Sequence, residues 1–120
     1  MQSFKELIVW QKSFKLCVDI YKLTETFPKN EIYGLSSQIR RASVSIPSNI
    51  AEGFRRNTTK EYIQFIHIAL GSTGELETQI LLAKELLYFD KAQYDIFENN
   101  ITEIVKMLVK LIKSLQEKLE

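Results

Sequence analysis

From Leu7 to Leu115 the apolar residues recur at intervals of three and four, and no segment alternates apolar and polar residues long enough to make a half-buried strand. That period is helical, so the chain is restricted to an all-α fold. The first segment places Leu7, Trp10, Phe14, Cys17 and Tyr21 on one face and should stop near Phe27, because Pro28 disfavours helical geometry in the residue before it. The second carries Leu35, Ile39, Ala42, Ile46, Asn49 and Gly53 along one stripe until Asn57 and two threonines break the pattern. Thr58 followed by Glu61 has the form of a capping box and opens a third helix, with a stripe of Tyr62, Phe65 or Ile66, Ala69, Thr73, Leu76, Ile80, Ala83 and Leu87. Asp90 is a suitable N-cap for a fourth. That helix presents Tyr94, Phe97, Ile101, Ile104, Leu108, Leu111 and Leu115, while Lys106, Lys110, Lys113 and Lys118 complement the negative end of its dipole.

The expected helices span 4–27, 31–55, 58–88 and 91–118. Four amphipathic helices with short links predict an antiparallel up-down-up-down four-helix bundle, with residues 1–120 as a single domain. A chain of 120 residues with 45% hydrophobic content has material for one core and not for two.

Charged residues interrupt every apolar run well before the roughly 18 residues of a membrane span. The opening MQSFKELIVWQKSFK lacks the basic, apolar and small-residue regions of a signal peptide, so a cytoplasmic location is expected. Cys17 is the single cysteine, which excludes an intramolecular disulfide and a cysteine-based zinc site and points to a buried thiol. The net charge is +1, yet residues 1–57 hold nine Lys/Arg against five Asp/Glu (+4) and residues 58–120 seven against ten (−3). Such a division makes a basic face or lets the two halves attract.

Chemistry-bearing patterns are missing. A di-iron bundle needs two Glu-x-x-His motifs, and the one histidine, His67, has Gln64 in the glutamate position. GSTG at 71–74 lies inside a helix, follows no strand and lacks the Lys-Ser/Thr pair of a phosphate loop; close helix packing is its expected role. Glu52, Glu75 and Glu77 have no nucleophile or histidine base beside them. Trp10 and the Tyr and Phe residues fall on the helical stripes, which favours packing over base stacking. No catalytic, metal or cofactor residue is expected, and the chain does not read as an enzyme.

Residues 36–56, SSQIRRASVSIPSNIAEGFRR, add something a simple bundle does not need. Val44, Pro47, Ala51 and Phe54 lie nearly opposite the main stripe, a second apolar side that predicts contact with another subunit. Pro47 crowds the Ser43 carbonyl and removes a donor, which predicts a bend; Ser43, Ser45, Ser48 and Asn49 are placed to satisfy the freed group, the alternative being a kink tolerated at the surface. Arg40 and Arg41 are expected on the outward side of this helix, and Arg55 and Arg56 at its end. With Lys60 they are candidate phosphate contacts; solvation or pairing with glutamates across a subunit interface is the competing reading.

LIVWQKS near the start, FPKNEIYGLSSQIRRASVSIPSNIAEG in helix two and EYIQFIHIALGSTGELETQI in helix three together resemble the four-helix-bundle proteins of the 23S rRNA-intervening sequence family over nearly the whole chain. The family is named for members encoded within insertions in large-subunit ribosomal RNA genes, and the accessory variability proteins of diversity-generating retroelements are its relatives. Most members have no established biochemical activity. The resemblance implies a homopentameric ring or barrel of small bundles. It further implies a nucleic-acid or reverse-transcriptase partner, met through Arg40, Arg41 and nearby basic residues. The retroelement relatives are strongly basic, whereas this chain is near neutral, so phosphate binding would require a ring that gathers its positive charge on one face or in its pore.

Overall fold

The computed structural model describes residues 2–119. Four helices, α1 (Ile8–Thr24), α2 (Leu35–Phe54), α3 (Thr59–Glu85) and α4 (Lys91–Glu117), make up most of them, with 3₁₀ turns at Phe4–Glu6 and Lys29–Glu31 and no strand among the described residues.

Side chains mark the helix starts where the sequence placed them. Thr58 Oγ1 accepts from the Glu61 N–H at 3.1 Å and Asp90 Oδ1 from the Gln93 N–H at 2.8 Å, each relieving a free donor of the first turn. At α2 the preceding residue, Gly34, has no side chain to do this. Glu31 reaches forward instead and accepts from the Leu35 N–H at 3.2 Å. The expected span 4–27 is thus divided into a 3₁₀ turn and a shorter α-helix with Leu7 extended between them, while the expected 31–55 starts late, at Leu35, behind the Lys29–Glu31 turn.

α3 stops short of the expected 88. The Leu87 and Tyr88 N–H groups turn back to the Lys84 and Ala83 carbonyls, and Leu87 takes a φ of 64°. This is a Schellman stop, which usually has glycine at the left-handed position. Leucine there costs about 1–2 kcal/mol. Leu87 is 87% exposed, so it leaves the α3 stripe on which periodicity had placed it. A stop without glycine gives the sequence no mark to read.

Isoleucines from all four helices, among them Ile20, Ile39, Ile46, Ile66, Ile80 and Ile104, fill the core. α1 is turned by one residue, about 100°, from its expected orientation. It buries Val9, Ser13, Leu16, Ile20 and Leu23, and leaves Phe14 and Tyr21 50% and 41% exposed. Both series keep helical spacing. The buried one contains Ser13, whose hydroxyl donates to its own helix at the Trp10 carbonyl, 3.0 Å away. A serine satisfied this way can enter a core, and the larger aromatic series is displaced outward.

α2 packs between α1 and α3, and α4 packs on α3 and more sparsely on α1; the diagonals α1 to α3 and α2 to α4 do not meet. This double contact accounts for much of the two-sided apolar character of α2. Pro47, expected on the outer side, is buried within the chain. The polar residues around it also act differently from expectation: Ser43 Oγ donates to the Arg40 carbonyl at 2.8 Å and Asn49 Nδ2 to the Ser45 carbonyl at 2.8 Å.

Cross-helix contacts fix the register. Tyr21 meets Arg40, Cys17 meets Ser43 and Phe4 meets Arg55; Ser72 lies 2.7 Å from Ser45, Lys84 lies over Tyr94 and Lys12 bridges Glu103 at 2.9 Å. α2 and α3 approach closely at Gly53, where a Cβ would stand 2.9 Å from Phe65 Cβ and 3.2 Å from the Tyr62 carbonyl oxygen. GSTG does not serve close packing in the expected manner. A Cβ on Gly71 or Gly74 would meet nothing within 4 Å, and Ser72 and Thr73 are the buried pair.

Candidate functional site

The five basic residues proposed for phosphate contact occupy two separate places. Arg40 is half-buried and faces α1, not solvent: its Nε donates to Thr24 Oγ1 at 2.7 Å and its guanidinium lies 4.8 Å from the Tyr21 ring centre. Seated at the C-terminal end of α1, it complements the dipole there. Arg41, one residue on, is exposed. Fifteen residues further along, about 22 Å at helical rise, Arg56 pairs with Glu52 at 2.7 Å and covers the Phe65 ring, while Arg55 covers Phe4. Lys60 is exposed beyond them. The structure therefore brings Arg55, Arg56 and Lys60 to one end of α2, leaves Arg41 near the other and occupies Arg40 with its own chain.

The four residues proposed for an oligomer contact also divide. Val44 is 37% exposed. Ala51 and Phe54 are half-buried, with Phe54 edge-on to Tyr62 at 6.2 Å. Beside Val44, the register of α1 on α2 sets an outward stripe that includes Trp10, Phe14 and Tyr21, three residues expected in the core. Phe4 meets Trp10 edge-on at 5.2 Å, Trp10 stacks on Phe14 at 5.0 Å, and Val18 and Tyr21 continue the line at 39% and 41% exposure. The readable signal was the pair of competing helical series in α1, one for the core and one for this face.

The other singled-out groups are dispersed. Glu52 is tied to Arg56, Glu75 faces the space between α2 and α3, and Glu77 faces Glu98 on α4. Burial, reinforced by the Glu98 charge, raises the Glu77 pKa. His67 is exposed and Cys17 is half-buried, its sulfur 3.5 Å from Ser43 Oγ. Among the described residues no three His, Cys, Asp or Glu side chains stand close enough to hold one ion, and no helix is long and apolar enough to cross a membrane.

A polar clasp joins the two links at one end. Tyr88 OH donates to Glu31 Oε2 at 2.6 Å while Glu31 Oε1 caps α2. The Tyr88 hydrogen bond, then the Leu35 N–H, hold the Glu31 carboxyl below its usual value of 4.5, and the same hydrogen bond raises the tyrosine above 10.0. A depressed carboxyl stabilises the fold above its unfolded pKa and stops doing so as pH falls through the folded one; a raised tyrosine stabilises below its unfolded pKa and stops as pH rises through the folded one. Tyr88→Phe is expected to flatten both limbs of a plot of thermal midpoint against pH, below 4.5 and above 10.0. Unchanged limbs would show that the clasp contributes nothing.

These observations define an all-α four-helix protein. The family model for the 23S rRNA-intervening sequence protein matches residues 5–110, and the chain belongs to that family. A crystal structure of a protein of unknown function from the S23 ribosomal protein family of Bacteroides thetaiotaomicron VPI-5482 is 31% identical, covering 88% of this chain and 99% of its own, with a TM-score of 0.83. No curated protein matches the sequence.

Proposed function

We propose that the chain is a non-enzymatic scaffold: an antiparallel up-down-up-down four-helix bundle that assembles through the outward face of α1 and α2 into a ring of five copies. The bundle reading is supported by the end-to-end pairing of Phe4 with Arg55, Gly53 with Tyr62, Lys84 with Tyr94 and Lys12 with Glu103. One observation carries the assembly reading. Phe14, Val18 and Tyr21 share one face of α1, the meeting of Tyr21 with Arg40 and of Cys17 with Ser43 sets Val44 alongside that helix, and the four leave 37–50% of their surface in water, apolar exposure of the kind that marks a protein contact. The count of five rests on the family resemblance. Mass measurement in solution at micromolar concentration should give five chains; a folded single chain would reject the assembly.

Nucleic-acid binding is the second reading, favoured by Arg41, Arg55 and Lys60 having no ion-pair partner among the described residues. A ring engaging one phosphate per copy should lose about a hundredfold in affinity for single-stranded RNA between about 50 and 200 mM salt. Arg55→Glu with Lys60→Glu should abolish that binding without changing the chain count. Insensitivity to both salt and charge reversal rejects this reading.

A further inference from the structure

On the other side of α2, away from the apolar face, α2 and α3 border an open cavity of about 320 Å³. Arg41 reaches it from α2 and Glu75 from α3. Neither forms an ion pair with the other or with any described residue. Gln79 also lines it, and its Oε1 is buried without a hydrogen-bond donor among the described residues. Ser45 and Ser72, hydrogen-bonded to each other at 2.7 Å, complete a polar lining to which Ala42 adds the apolar part. The groove thus presents one free cation and one free anion, with a desolvated acceptor inside its wall.

That combination selects against simpler ligands. A plain anion meets Glu75, a plain amine meets Arg41, and an apolar molecule satisfies neither. A primary ammonium pairs with a carboxylate, and a carboxylate matches the guanidinium fork. The volume lies at the small end of ligand sites. Gly71 and Gly74, where a Cβ would meet open space, leave the neighbouring surface of α3 bare. We propose that this groove binds a small zwitterion of the amino-acid class, its carboxylate on Arg41 and its ammonium on Glu75. The site uses none of the α1–α2 face and stands or falls apart from the assembly.

The test follows the side-chain amide resonances of Gln79 and of Gln38, which also borders the groove, while glycine, β-alanine, γ-aminobutyrate and a set of α-amino acids are each added to the intact protein up to about 50 mM, a range that reaches millimolar dissociation constants. Methylamine and acetate serve as half-ligands. Holding both charges on one short linker makes the second contact intramolecular, so at least one zwitterion should saturate the shifts about tenfold more tightly than either half. Arg41→Gln and Glu75→Gln should each erase that preference while the chain count stays as in the unsubstituted protein. Equal response to the halves, or no saturation by any zwitterion, overturns the proposal.

Discussion

Gly53→Leu is expected to lower stability by about 3 kcal/mol, the upper end of the usual overpacking range. At about 4 °C per kcal/mol for a domain of this size, the thermal midpoint should fall by roughly 12 °C. The Cβ alone would intrude to 2.9 Å on Phe65 Cβ, the root of a side chain that cannot swing aside, and to 3.2 Å on a backbone oxygen. α2 and α3 must separate, and Ile46, Ile50 and Ile66 lose contacts on the same seam. Helix propensity works the other way by no more than about 1 kcal/mol, so packing decides the sign. Gly71→Ala and Gly74→Ala have no such opposition and should each raise stability by about 1 kcal/mol. Thermal denaturation at matched protein concentration separates the two cases. A Gly53→Leu protein with an unchanged midpoint would refute the close approach.

These three glycines show where periodicity stops being informative. A glycine inside a helical stripe and a glycine beside one differ by a single position, and GSTG placed the small residues on the wrong side of that distinction. The same one-position ambiguity turned α1, since Val9, Leu16 and Ile20 compete with Trp10, Phe14 and Tyr21 for the core and the sequence has no scale for choosing between them. The starts of α3 and α4 were legible because Thr58 and Asp90 bond within three residues of themselves. The end of α3 was not, because Leu87 adopts a glycine-like conformation without being glycine. Arg40 was misplaced for a related reason. A long side chain at the edge of a stripe can turn to a neighbouring helix's end, and only the packed partner, Thr24, reveals that it has done so.

Phe14→Glu and Val44→Glu together are expected to convert a five-chain particle into folded single chains at micromolar concentration. In the isolated chain the two positions are 50% and 37% exposed, so two glutamates there reach water, and the lost Phe14–Trp10 stack costs about 1 kcal/mol, too little to unfold the domain. In the assembly the same carboxylates lose water, and Arg40, one turn before Val44, is already bound to Thr24 and Tyr21. An unpaired charge buried in this way costs several kcal/mol, and the penalty recurs at every contact around a closed ring. Helical circular dichroism should persist while the mass falls fivefold. The result separates this face from the basic end of α2, since Arg55 and Lys60 are untouched. Loss of mass with loss of helicity would mean that Phe14 and Val44 support the fold itself, and a particle of undiminished mass would move the contact to another face.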